Sequence, residues 1–225
     1  MARKTKEGAE ETRANILRAA LSLFSSQGVS GTTLSDVAKM AGVTRGAIYW
    51  HFDNKDHLLQ ALYEQVTLPF EAIAQLGERA GELDPLGRLH ELHLAILKDL
   101  AENAITRQFF QIWMDRGKLG STDRNETDCE VNERRQKSLR KIEGIMRNAM
   151  ARGQLAENFN PRLGALTLYA FMDGMVMAIL LNPKSSAVRQ EMAQMIDAFF
   201  FMLRDASNPY LMQGSENEGS TGEGR

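Results

Sequence analysis

Residues 32–52, Thr-Thr-Leu-Ser-Asp-Val-Ala-Lys-Met-Ala-Gly-Val-Thr-Arg-Gly-Ala-Ile-Tyr-Trp-His-Phe, spell two short amphipathic helices joined by a turn at Gly42. Thr33 is placed to cap the first helix, and Asp36, three residues on, completes a capping box. Leu34, Val37 and Ala38 recur at helical spacing and form its apolar face. Gly42 can take the left-handed backbone that ends the helix. Thr44 caps the second helix, in which Ala47, Ile48 and Phe52 face inward and Arg45, Gly46, Tyr49 and Trp50 face outward. An eight-residue helix of this kind is about 12 Å long, which matches the width of the DNA major groove.

The outward residues suit that groove. Arg45 has the fork that donates two hydrogen bonds to a guanine edge, and Gly46 lets backbone approach backbone. Tyr49 and Trp50 offer flat apolar surface for a thymine methyl or a sugar, with a donor for phosphate. Thr33, Thr44, His51 and Lys55 are expected to contact phosphates, which position a protein without reading sequence. Asn54 caps a further helix whose N-terminus, carrying Lys55, favours phosphate. Helix pairs around a Gly turn also occur in proteins that never touch nucleic acid. What sets this segment apart is an aromatic trio, Tyr49, Trp50 and His51, opposite a complete apolar set, preceded by a basic arm at residues 3–6.

Outside this segment the pattern is helical throughout, so an all-α fold is expected. A first helix spans about 10–27, with Ile16, Leu17, Ala20, Leu21 and Phe24 inward and Gly28 ending it. A long helix runs from Asn54 toward Gly77, with Pro69 as a candidate kink. Asp84-Pro85 and Asn160-Pro161 are cap-plus-proline starts for helices 86–102 and 162–181. Shorter or more charged helices cover 107–114, a stretch up to about Arg152, and 187–204. We divide the chain into a helix-turn-helix head at 10–70, a helical-bundle body at 71–207 and a disordered Gly/Ser/Glu-rich tail at 213–225.

Composition limits the function classes. Net charge is −2, but residues 1–60 carry eight Lys/Arg against six Asp/Glu, while the remainder carries nineteen against twenty-three. A slightly basic head on an acidic body fits DNA contact at one end. The single Cys129 excludes an intrachain disulfide, points to a reducing compartment and is read as structurally idle. No apolar leader follows the charged N-terminus, and Asp173 and Gly174 interrupt the apolar run 163–181. The chain is therefore expected to be cytoplasmic, with no membrane partner. His90 and His93 are spaced for a metal, but no Cys or second acidic ligand stands at compatible spacing, so they are read as surface histidines. No phosphate-binding glycine loop, nucleophile elbow or zinc signature is present, so neither cofactor nor enzymatic activity is expected.

The residues at 2–6, 11–13, 28–29 and 41–52 resemble the TetR family of bacterial regulators, in particular its AcrR-like branch of multidrug-efflux repressors. The likeness is specific over about the first 65 residues and fades beyond them. It implies a homodimer with a DNA-binding head and a regulatory body, released from double-stranded operator DNA by a small hydrophobic drug-like ligand. Dimerisation has a physical motive too, since one short reading helix buries too little to be specific alone. The consecutive Phe199, Phe200 and Phe201 cover more of a helix than one core face needs, which marks the last two helices as the interface.

From spacing alone, the aromatic and methionine stripes of the body read as core. The resemblance turns them into a chamber and implies Val66, Leu97, Phe110, Trp113, Met114, Tyr169, Asp173 and Met177 as its ligand-binding residues. Asp173, in an apolar helix, needs a partner such as an arginine, a helix end or a ligand donor. Where many AcrR-like relatives carry polar residues after Thr106-Arg107, this chain has Phe109-Phe110 and Trp113-Met114, so a more apolar chamber is expected. Two alternatives stay open: a ligand-independent structural or cell-division DNA-binding protein of the same fold, and a helical enzyme using Asp173 as an acid.

Overall fold

In the computed structural model, which describes residues 2–116, 126–182, 186–205 and 211, all regular structure is helical. The helices are α1 (Ala2–Gln27), α2 (Leu34–Met40), α3 (Arg45–His51), α4 (Lys55–Glu78), α5 (Pro85–Glu102), α6 (Ala104–Arg116), α7 (Glu126–Ala151), α8 (Pro161–Leu181) and α9 (Ser186–Arg204). The expected caps form: Thr33, Thr44, Asn54, Asp84 and Asn160 each accept a hydrogen bond from the backbone N–H three residues on. At Thr33 the box is reciprocal with Asp36. Gly28, Gly42 and Gly153 all have positive φ, as expected where a glycine ends a helix.

The first helix begins eight residues earlier than the periodicity implied. Residues 2–13 are rich in Ala, Lys, Arg and Glu, strong helix formers, and lack a stop signal beyond Gly8. The basic segment 3–6 is thus the first turns of α1 rather than a separate arm. Pro69 lies within α4 without ending it. At the α5–α6 corner the Arg107 guanidinium donates to the Leu100 and Ala101 carbonyls, satisfying groups that the end of α5 leaves unpaired.

Two apolar cores form. The head core gathers Ile16, Ala20, Phe24, Val37, Ile48, Phe52, Leu58 and Leu62 from α1 to α4. Phe109 and Ile112 of α6 belong to it as well, an intrusion of the body that crosses the expected boundary. The body core packs α5, α7, α8 and α9 around Leu97, Met146, Phe159, Leu168, Ile196 and Phe200, with Leu211 closing it. The side chain of Cys129 and the segment 213–225 lie outside the described residues.

Helix α8 is long and apolar enough to cross a membrane by composition. Here it packs against α5, α7 and α9 and buries Gly164, Leu168, Met172, Val176 and Ile179. Its outer side still exposes Leu163, Leu166 and Leu181, and α9 exposes Met195, Phe201 and Met202. Phe199 and Phe200 are buried, whereas Phe201 is 74% exposed.

Candidate functional site

On α3, burial of Ile48 and of the capping Phe52 anchors the helix and turns Arg45, Gly46, Tyr49 and Trp50 to solvent. Trp50 is 74% exposed, unusual for a tryptophan. The Arg45 guanidinium rests 5.7 Å from the Tyr49 ring one turn away, a stacking contact that holds it along the outer face. At Gly46 an added Cβ would meet only the Thr44 hydroxyl, at 4.0 Å. Nothing inside the protein therefore demands a glycine there. Gly46→Ala is expected to leave the melting temperature unchanged or slightly raised while weakening operator binding about tenfold, roughly 1.4 kcal/mol, in fluorescence anisotropy. Equal affinity for both proteins would show that backbone does not approach DNA at this point.

The four expected phosphate contacts differ in what they have left to offer. The Thr44 hydroxyl accepts from Ala47 N–H and keeps its own proton to donate. The Thr33 hydroxyl both accepts from Asp36 N–H and donates to the Asp36 carboxylate, so its capacity is spent on the cap. His51 is half-buried, edge-on to Trp50, with its pKa lowered by burial and by the Arg13 charge. The lowered pKa disfavours the charged ring, and the neutral ring still carries one N–H to donate to a phosphate. Lys55 is the main departure. Its ammonium donates to the Val29 carbonyl at 2.8 Å and the Ser30 carbonyl at 3.4 Å, clamping the α1–α2 loop to α4. The ammonium thus has a structural role beside the expected one, and its third N–H and its charge remain for a phosphate.

A cavity of about 270 Å³ lies in the body between α4, α5, α6, α7 and α8. Of the expected chamber residues, Val66, Phe110, Trp113, Met114, Tyr169 and Asp173 line it. Leu97 and Met177 do not. Leu97 is fully buried in the body core, and the cavity is met instead by Ile96 and Val176, their immediate neighbours. One residue is 100° of helix rotation, and periodicity does not fix which of two adjacent apolar residues faces a void. Tyr63 and Phe70 of α4, His93 of α5, and Arg134, Arg135 and Lys141 of α7 also line the cavity and went unrecognised. Helix α7 reads as a charged solvent-facing helix; only its i, i+4, i+7 series Arg134, Ser138 and Lys141 hints at an inward edge. His93 is buried, not a surface residue, and His90 pairs with Asp197 of α9 at 2.7 Å.

The cavity wall is aromatic, and part of its rim is cationic. Tyr63, Phe109 and Trp113 form an aromatic cluster with centroids 5.5–6.2 Å apart, Phe109 stacked on Trp113 and Tyr63 tilted against both. The Arg134 guanidinium lies 4.4 Å from the Tyr63 ring centroid, and the Arg135 guanidinium 5.0 Å from that of Tyr169. Burial pushes the Tyr169 hydroxyl up to about 12, and the Asp173 charge acts in the same direction. Burial likewise raises the pKa of Asp173, and the Arg135 charge pulls the other way. A carboxyl whose folded pKa is raised disfavours the fold once it ionises, so Asp173→Asn is expected to raise the melting temperature at pH 7. The gap should close as pH falls through the carboxylate range, where aspartic acid is neutral in both states. A gap that widened on acidification would reverse the sign assigned here.

The chain matches the model for bacterial regulatory proteins of the tetR family over residues 16–62. It also matches that for the MAATS-type transcriptional repressor C-terminal region over residues 84–205. It is 38% identical over 208 residues to the HTH-type transcriptional regulator TtgR of Pseudomonas putida, covering 91% of this chain and 97% of that one. Among solved structures it is similar to NalD, the secondary repressor of the MexAB-OprM multidrug efflux pump in Pseudomonas aeruginosa. That similarity has 34% identity and a TM-score of 0.70 over 88% of this chain and 99% of that one. A complex of SmeT with triclosan superposes with a TM-score of 0.75 at 28% identity, covering 85% and 90% of the two chains. Reading helix, caps and body therefore lead to one conclusion: this chain belongs to the TetR family of bacterial regulatory proteins.

Proposed function

We propose that this protein represses the operon of a multidrug efflux pump and leaves its operator when an apolar drug-like ligand fills the body cavity. One observation carries the reading. Helix α6 lends Phe109 and Ile112 to the head core, while Phe110, Trp113 and Met114 on the same two turns line the cavity. Helix α4 does likewise, burying Val66 in the head core at the cavity edge. A ligand that shifts α4 or α6 therefore repacks the head, which is the differential contact that coupling requires.

The exposed apolar side of α8 and α9 supports a homodimer with two reading helices set for a two-fold-symmetric operator. Such a protein works in the cytoplasm, where its operator is. A void of this size, lined by aromatic groups, supports a ligand-responsive body over the filled, ligand-independent alternative.

The test uses the DNA upstream of the protein's own gene in an anisotropy assay, with triclosan as the probe ligand. Binding at low salt and release by excess triclosan are expected. Calorimetrically saturated protein that still holds the DNA would refute induced release. A protein that ignores this DNA altogether would refute the repressor reading.

A further inference from the structure

His93 is 6% exposed and forms part of the cavity wall, yet nothing in the release mechanism uses it. Its Nδ1 lies 2.6 Å from the Leu89 carbonyl oxygen of its own helix. A carbonyl only accepts, so Nδ1 holds the ring proton and donates. Burial lowers this histidine's pKa to about 4, which keeps the ring neutral at pH 7. In a neutral ring with Nδ1 protonated, Nε2 is a bare acceptor on the edge turned away from the helix. No hydrogen bond to Nε2 forms among the described residues. The residue lines the cavity from α5, so Nε2 is the polar position it has left to offer a ligand.

We propose that His93 determines ligand specificity: its Nε2 accepts a hydrogen bond from a hydroxyl or neutral N–H donor carried on an apolar ring system. The inference rests on the cavity being the ligand chamber proposed above. A ligand without such a donor would seal Nε2 from water and leave it unpaired, which is the source of discrimination. Asp173 is the competing acceptor on the wall, so the test must separate the two.

The full-length protein is titrated calorimetrically at pH 7 with 2-naphthol and with 2-methoxynaphthalene, uncharged molecules differing in one O–H. The wild type is expected to favour 2-naphthol by on the order of tenfold or more. His93→Leu should abolish that preference by weakening 2-naphthol alone. His93→Gln, whose amide oxygen falls near the Nε2 position, should retain it, as should Asp173→Val, which removes the competing acceptor. A preference that survives His93→Leu, or one lost in Asp173→Val, overturns the assignment. So does equal binding, or no binding, of both probes by the wild type. If triclosan still binds and releases DNA in that case, the chamber reading stands and only the role of His93 falls.

Discussion

Phe201→Glu is expected to yield a folded monomer that has lost most of its operator affinity. The side chain is 74% exposed, while its neighbours Phe199 and Phe200 carry the packing of α9 into the body core. A glutamate at position 201 therefore leaves the monomer intact. In a two-fold interface the residue is removed from water twice. Burying a phenylalanine contributes about 1.5–3 kcal/mol, so the two together contribute roughly 3–6 kcal/mol, a dissociation constant raised about a hundredfold to ten-thousandfold. Two like charges brought together at the axis add to this loss. Analytical ultracentrifugation with a parallel melting curve checks it. A variant that remains dimeric at micromolar concentration would mean that another surface joins the protomers.

Arg45→Ala is the second large effect. A guanidinium bidentate to guanine is worth about 1–3 kcal/mol of base discrimination, and a dimer uses two, so roughly 2–6 kcal/mol separates operator from scrambled DNA. The variant should bind both DNAs nearly alike, with an unchanged melting temperature, because Arg45 is exposed and rests on the exposed Tyr49 ring. Lys55→Ala should behave in the opposite way. Its ammonium clamps the Val29 and Ser30 carbonyls, so its loss should lower the melting temperature by an amount corresponding to about 1.5–3 kcal/mol. All DNA sequences should be weakened together as the α1–α2 loop loosens. If Arg45→Ala kept its preference for the operator, sequence would be read by other groups, Trp50 first among them.

Both variants illustrate how far local reading reaches. The caps at Thr33, Thr44, Asn54, Asp84 and Asn160 were legible because a cap is an interaction over three residues. The outward set on α3 was legible for the same reason, since burial of Ile48 and Phe52 fixes the helix's rotation. The structural contacts of Lys55 were not legible because its partners lie 25 and 26 residues away, beyond any periodic signal.

The all-α class, the punctuation of the helices and the reading face of α3 follow from the order of residues, because propensity, capping and a 3.6-residue period act over one or two turns. Contacts between distant segments set everything else. They placed Ile96 and Val176, not Leu97 and Met177, at the void. They drew Phe109 and Ile112 of α6 into the head core and turned two arginines of a charged helix over tyrosine rings. Those outcomes depend on how helices rotate and tilt as they pack, a choice made by shape complementarity among side chains far apart in the chain.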